Sequence, residues 1–91
     1  MKLLVVEDEA LLRHHLQTRL TDSGHVVESV ANAEEALYQT EQFNHDLAVI
    51  DLGLPGMGGL DLIRQLRSRG KTFPILILTA RGNWQDKVEG L

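Results

Sequence analysis

The sequence predicts an α/β fold in which a parallel sheet alternates with helices. Three observations carry that reading. Leu3–Val6, Leu47–Ile50 and Pro74–Leu78 are short aliphatic runs of the kind that form strands buried on both faces. Segments with helical spacing lie between them, so the strands must be joined by crossovers and run parallel. Each run also ends on a residue able to do chemistry: Glu7-Asp8, Asp51 and Thr79. In a parallel sheet these endings share one edge, and that edge is where open α/β sheets bind ligands.

The elements follow in order. The first strand, Leu3–Val6, leads into a helix from about Glu9 to Ser23. Its expected buried stripe is Leu12, Leu16 and Leu20 at i, i+4, i+8, and Gly24 caps its C-terminus. His25–Val30 is a short strand. Asn32 with Glu35 three residues on is a capping-box-like start for a second helix, Ala33 to about Gln42. Asp46–Asp51 is the third strand. Gly53-Leu54-Pro55-Gly56-Met57-Gly58-Gly59 is a loop rich in turn residues. A third helix runs from Leu60 to about Arg69, with Leu60, Ile63 and Leu66 facing inward, and Gly70 stops it. Phe73–Thr79 is the fourth strand, and Asn83 or a neighbour starts a last helix.

The 91 residues suffice for one small domain. No cysteine is present, which excludes disulfides and thiolate metal sites. No apolar stretch approaches the ~20 residues that span a bilayer, and the N-terminus lacks a signal-peptide pattern. The expectation is a cytoplasmic protein with no membrane role. A net charge of −4 argues against direct nucleic-acid contact. The one basic cluster, Arg64, Arg67, Arg69 and Lys71, falls late in a helix, where cations complement the dipole.

Glu7, Asp8 and Asp51 are the candidate site. If the first and third strands are neighbours, these carboxylates lie within a few ångströms of one another. Like charges that close raise one another's pKa unless a cation offsets them. An oxygen-only pocket of two or three carboxylates plus a backbone carbonyl suits Mg²⁺, and the Gly53 carbonyl can supply the last ligand. A carboxylate beside Mg²⁺ can also attack phosphorus to give an acyl phosphate. Asp51, at the end of a rigid strand, is the candidate nucleophile. Thr79 can donate its hydroxyl to a phosphoryl oxygen. The bland alternative is helix capping by Asp8 or Glu9. It explains one acid, but not three acids and a threonine from separate strands.

Three stretches together resemble the receiver domain of two-component response regulators, in the subfamily that carries a winged-helix DNA-binding domain. They are Leu4-Val5-Val6-Glu7-Asp8-Glu9, Asp46 through Leu60, and Pro74-Ile75-Leu76-Ile77-Leu78-Thr79-Ala80-Arg81. The resemblance implies a flavodoxin-like (CheY-like) three-layer fold. It implies that Asp51 accepts a phosphoryl group from a sensor histidine kinase, and that Glu7, Asp8, Asp51 and the Gly53 carbonyl hold Mg²⁺. It gives Thr79 the role of switch hydroxyl. The resulting conformational change would control dimerisation and DNA binding through a C-terminal domain, with no enzymatic turnover of its own. Such a receiver continues through a fifth strand ending in a Lys next to Pro, then a fifth helix. Residues 1–91 are therefore expected to be its N-terminal part, incomplete at the C-terminus, with DNA contacted only through the absent domain. Lys87 lies in the stretch matching the fourth helix and is not that lysine. An uncovered fourth strand would favour a homodimer or strand-exchanged oligomer.

Other residues have plainer expectations. His14, His15, His25 and His45 are scattered and read as surface or partly buried. Tyr38 and Phe43 read as core or boundary, and Trp84 as packed. Gly56, Gly58 and Gly59 lack the Lys-Ser/Thr ending of a phosphate-cradling loop and serve turn geometry. Three other functions compete. An aspartyl phosphatase usually carries a second Asp two residues past its nucleophile, where this chain has Gly53. A flavin- or nucleotide-binding module needs a phosphate-cradling first loop, where this chain has Glu7-Asp8-Glu9. A degenerate receiver acting only by interaction would not need the full acid set.

Overall fold

The computed structural model describes residues 1–78. Its elements are β1 (Lys2–Val6), α1 (Ala10–Asp22), β2 (Val26–Val30), α2 (Ala33–Gln42), β3 (Leu47–Asp51), α3 (Gly59–Ser68) and β4 (Ile75–Leu78). Every strand pairs parallel, in the order β2-β1-β3-β4. The register matches Val6 with Val30 and Ile50, and Asp51 with Leu78, so the C-terminal ends line one rim. The expected first strand, first three helices and third strand are each found within two residues.

Strand alternation sorts the core onto two faces. Leu4, Val6, Val30, Ala48 and Ile50 form one cluster with Ala33, Ala36 and Leu37 of α2 and Leu62 and Leu66 of α3. Burying a leucine side chain is worth roughly 1.5–3 kcal/mol, so Leu62 and Leu66, both fully buried, fix α3 on the sheet. Leu3, Val5 and Val49 have the opposite parity and face the α1 side. The result is three layers, with α1 on one face and α2 and α3 on the other.

Local chemistry places the ends. Asn32 caps α2: its side-chain oxygen accepts from the Glu35 N–H at 2.9 Å, and its amide donates to the Glu35 carboxylate at 3.0 Å. This reciprocal arrangement is the expected capping box, worth about 1 kcal/mol. Gly24 and Gly70 take positive φ just past α1 and α3, where a side chain would be strained. Arg67 donates to the carbonyls of Lys71 and Phe73, and Arg69 and Lys71 lie near Glu41. The basic cluster is thus engaged in local structure.

Several expectations are corrected. The Leu12, Leu16 and Leu20 stripe is only half-buried, and α1 has no fully buried residue. Among the described residues α1 packs chiefly on β1 and β2. On α3 the inward position is Leu62, and Leu60 is 52% exposed. The helix begins at Gly59, which is buried against β3, so the inward face follows 59, 62 and 66. Strand β4 is not buried on both faces, because it is the outer strand of the described sheet and exposes Leu76 and Ile77.

Tyr38 is exposed rather than core, on the outer face of α2, and Phe43 is exposed with the Lys2 ammonium 4.3 Å from its ring centre. His45 is buried instead of superficial. Its Nε2 lies 2.6 Å from a Glu28 oxygen, so the polar ring is retained inside by a partner on β2. The last helix, Trp84 and Thr79 lie outside the described residues. Among the described residues no helix is long and apolar enough to cross a membrane.

Candidate functional site

The site sits at the rim where β1 and β3 end. These two strands are neighbours, as the crevice requires. Glu7 follows β1 directly, its N–H donating to the Val30 carbonyl at 3.1 Å. Its side chain is nearly inaccessible, and one carboxylate oxygen accepts from the Glu9 N–H at 2.9 Å. Asp51 is the last residue of β3 and is equally buried. Its Oδ1 accepts from the Gly53 N–H at 2.8 Å, a local turn that aims the carboxylate. Asp8 is half-buried in the loop between β1 and α1.

One oxygen from each of Glu7, Asp8 and Asp51 lies within 4.8 Å of the other two. Residues 43 positions apart in sequence thus converge because parallel pairing brings the β1 and β3 ends together. The capping alternative fails for Glu9, the N-cap of α1, which makes no side-chain cap. The Gly53 main chain sits in the same turn, two residues beyond Asp51.

The electrostatics follow from burying three acids together. Burial above all, with hydrogen bonding and charge from Asp51 and a hydrogen bond with Asp8, raises the Glu7 carboxyl to about 7 against the opposing effect of the Glu9 N–H. The set is all oxygen, acidic and compact. Such donors suit a hard divalent cation, and Mg²⁺ in particular binds through a few carboxylates while keeping waters for a phosphate partner. The residues present therefore fit the ion that the sequence implied. A pocket of about 490 Å³ opens at the opposite rim, lined by Phe43, His45, Lys71 and Phe73 among others, but it has no comparable set of convergent acids.

Two residues at this site escaped the sequence reading. Arg13 of α1 donates from Nη1 to the Glu7 carbonyl at 2.9 Å and to the Asp8 carbonyl at 3.4 Å. The available signal was a cation in the first turns of a helix, where the dipole disfavours it. From sequence alone Gly59 reads only as a turn residue. A Cβ there would lie 2.5 Å from the Asp51 carbonyl oxygen and 2.7 Å from the Leu52 Cα. No side-chain motion relieves a clash with main chain, so Gly59 is what lets α3 start against the end of β3.

Comparison with known proteins agrees with this geometry. Residues 3–91 match the family model described as the response regulator receiver domain. The chain is 80% identical over 91 residues to the two-component response regulator PhoP of Pseudomonas aeruginosa, covering all of this chain and 40% of that protein. It is 55% identical over the same span to the virulence transcriptional regulatory protein PhoP of Salmonella typhimurium, covering 41% of it. The solved structure of the Vibrio cholerae chemotaxis protein CheY4 matches with a TM-score of 0.84 and 31% identity, over 98% of this chain and 76% of that one. The chain spans about two fifths of the length of the curated relatives it matches.

Proposed function

This chain belongs to the response regulator receiver domain family, and from that premise we propose that it is the phosphoryl-accepting switch of a two-component transcriptional regulator. Asp51 is the acceptor. Glu7, Asp8, Asp51 and the Gly53 main-chain carbonyl are the residues that hold Mg²⁺. The observation that carries this reading is the meeting of three carboxylates, from the ends of two separate strands, within 4.8 Å.

Bound at this rim, Mg²⁺ supplies positive charge that offsets both the acids and the oxygens of a transferring phosphoryl group. The chain does the rest. Strand β3 and the Gly53 N–H hold the Asp51 carboxylate in one orientation, so little reorganisation precedes attack. An Asp51 oxygen bonds to phosphorus as the P–N bond to a sensor kinase histidine breaks, leaving an acyl phosphate and a free imidazole that takes up a proton. Thr79 is the switch residue in this reading, its hydroxyl donating to a phosphoryl oxygen. The added charge biases a two-state element, which is how phosphorylation acts at a distance.

The partners follow from the same proposal. A sensor histidine kinase supplies the phosphoryl group, and a separate domain contacts DNA. Both relatives named above are described as regulators, one of them of transcription. A soluble, cytoplasmic setting belongs to the same proposal. Self-association through β4 does too, because that outer strand exposes Leu76 and Ile77. Light scattering over a concentration series reads it as a rise in mass.

The test is a calorimetric titration with Mg²⁺. Removing a carboxylate ligand with Asp8→Ala weakens binding by about tenfold or more, whereas Thr79→Ala changes it little. The opposite order would reassign the two roles.

A further inference from the structure

Arg13 is the residue of the described chain whose placement the receiver chemistry leaves unexplained. It is the fourth residue of α1. A cation so near a helix N-terminus is opposed by the macrodipole. A solvated arginine would avoid that cost by pointing into water. Arg13 instead is half-buried and turned back over the preceding loop.

Its partners explain the direction. Nη1 lies 2.9 Å from the Glu7 carbonyl oxygen and 3.4 Å from that of Asp8, so one guanidinium nitrogen spans the main chain of both acids. The base of Arg13 is fixed, since its own N–H donates to the Glu9 carbonyl at 2.9 Å. Glu7 is thereby held at three points, by two elements and the loop between β1 and α1. Its N–H bonds to β2, its carboxylate to the Glu9 N–H, and its carbonyl to α1 through Arg13. Asp8, which lies beyond the strand, has the longer of the two guanidinium bonds. These bonds go to main-chain oxygens, so through them the arginine orients the acids without occupying their carboxylates.

We propose that Arg13 is a positioning residue for the cation site: through the Glu7 and Asp8 carbonyls it aims both carboxylates at the ion that Asp51 shares. This rests on the proposed function above and extends it to a residue that touches neither metal nor phosphoryl group.

The experiment is a Mg²⁺ titration of the full chain by calorimetry, for wild type, Arg13→Met and Arg13→Lys, with a thermal melt of each in the absence of metal. Outer groups that orient metal ligands typically change affinity by about 10–100-fold when removed. Arg13→Met is expected to weaken Mg²⁺ binding by about tenfold, and Arg13→Lys, which keeps a charged donor, by distinctly less. Arg13→Gln, uncharged and too short to reach both carbonyls, serves the same comparison if the Met variant does not fold. Wild-type affinity in Arg13→Met or Arg13→Gln, even with a lowered melting temperature, would overturn the proposal, because a purely structural role moves stability alone. A wild-type chain that binds no Mg²⁺ would instead sink the functional reading on which the proposal rests.

Discussion

Asp51→Asn is expected to abolish phosphorylation. Incubated with Mg²⁺ and a small phosphodonor such as acetyl phosphate, the wild-type chain gains one phosphoryl group that hydroxylamine removes, as it does any acyl phosphate. The amide that replaces Asp51 is nearly the same size and still accepts the 2.8 Å hydrogen bond from the Gly53 N–H. It has no anionic oxygen, however, and is a far poorer nucleophile toward phosphorus. Folding should therefore survive while labelling is lost. Intact-protein mass spectrometry reads both species. Equal labelling of the two proteins would remove Asp51 as the acceptor and turn attention to Asp8.

Gly59→Ala has the next largest expected effect, and it acts through packing. The new Cβ would meet the Asp51 carbonyl oxygen at 2.5 Å, the Leu52 Cα at 2.7 Å and the Asp51 carbonyl carbon at 3.0 Å. All three atoms are main chain, so either α3 backs away from β3 or the end of β3 shifts. The first loosens the contacts of Leu62 and Leu66, and the second moves Asp51 itself. Overpacking of this kind costs about 1–3 kcal/mol. For a chain of this length that lowers the melting temperature by roughly 4–8 °C per kcal/mol. Gly58→Ala is the control, since the nearest atom a Cβ there would meet is the Leu52 carbonyl oxygen at 3.9 Å. Denaturant unfolding of the two variants should separate them clearly. A Gly59→Ala protein as stable as wild type would show that the close approach is easily relieved.

The candidate site was legible because strands announce themselves by local composition. An aliphatic run that stops at an acid marks both an element and its end, and parallel pairing then does the long-range work. Glu7, Asp8 and Asp51 could be placed together without knowing any distance. Helix faces were less legible. On α3, Leu60 and Leu62 are both leucine, and only the approach of Gly59 to β3 decides which faces inward. On α1 the leucine stripe was real but its burial depends on what lies on either side, which a local pattern does not encode. His45 and Arg13 show the same limit in polar form. A histidine retained inside by Glu28, 17 residues away, and an arginine bonded to carbonyls five and six residues back, leave no periodic trace.

The central claim is that one divalent ion is held jointly by the ends of β1 and β3. Its most direct test replaces Mg²⁺ with trace Mn²⁺, which takes the same oxygen ligands, and records amide signal loss by nuclear magnetic resonance. Broadening should begin at Glu7, Asp8, Asp51, Leu52 and Gly53 together and spread outward from them. Broadening centred on the far rim around His45 and Lys71, or confined to one strand end, would contradict the account.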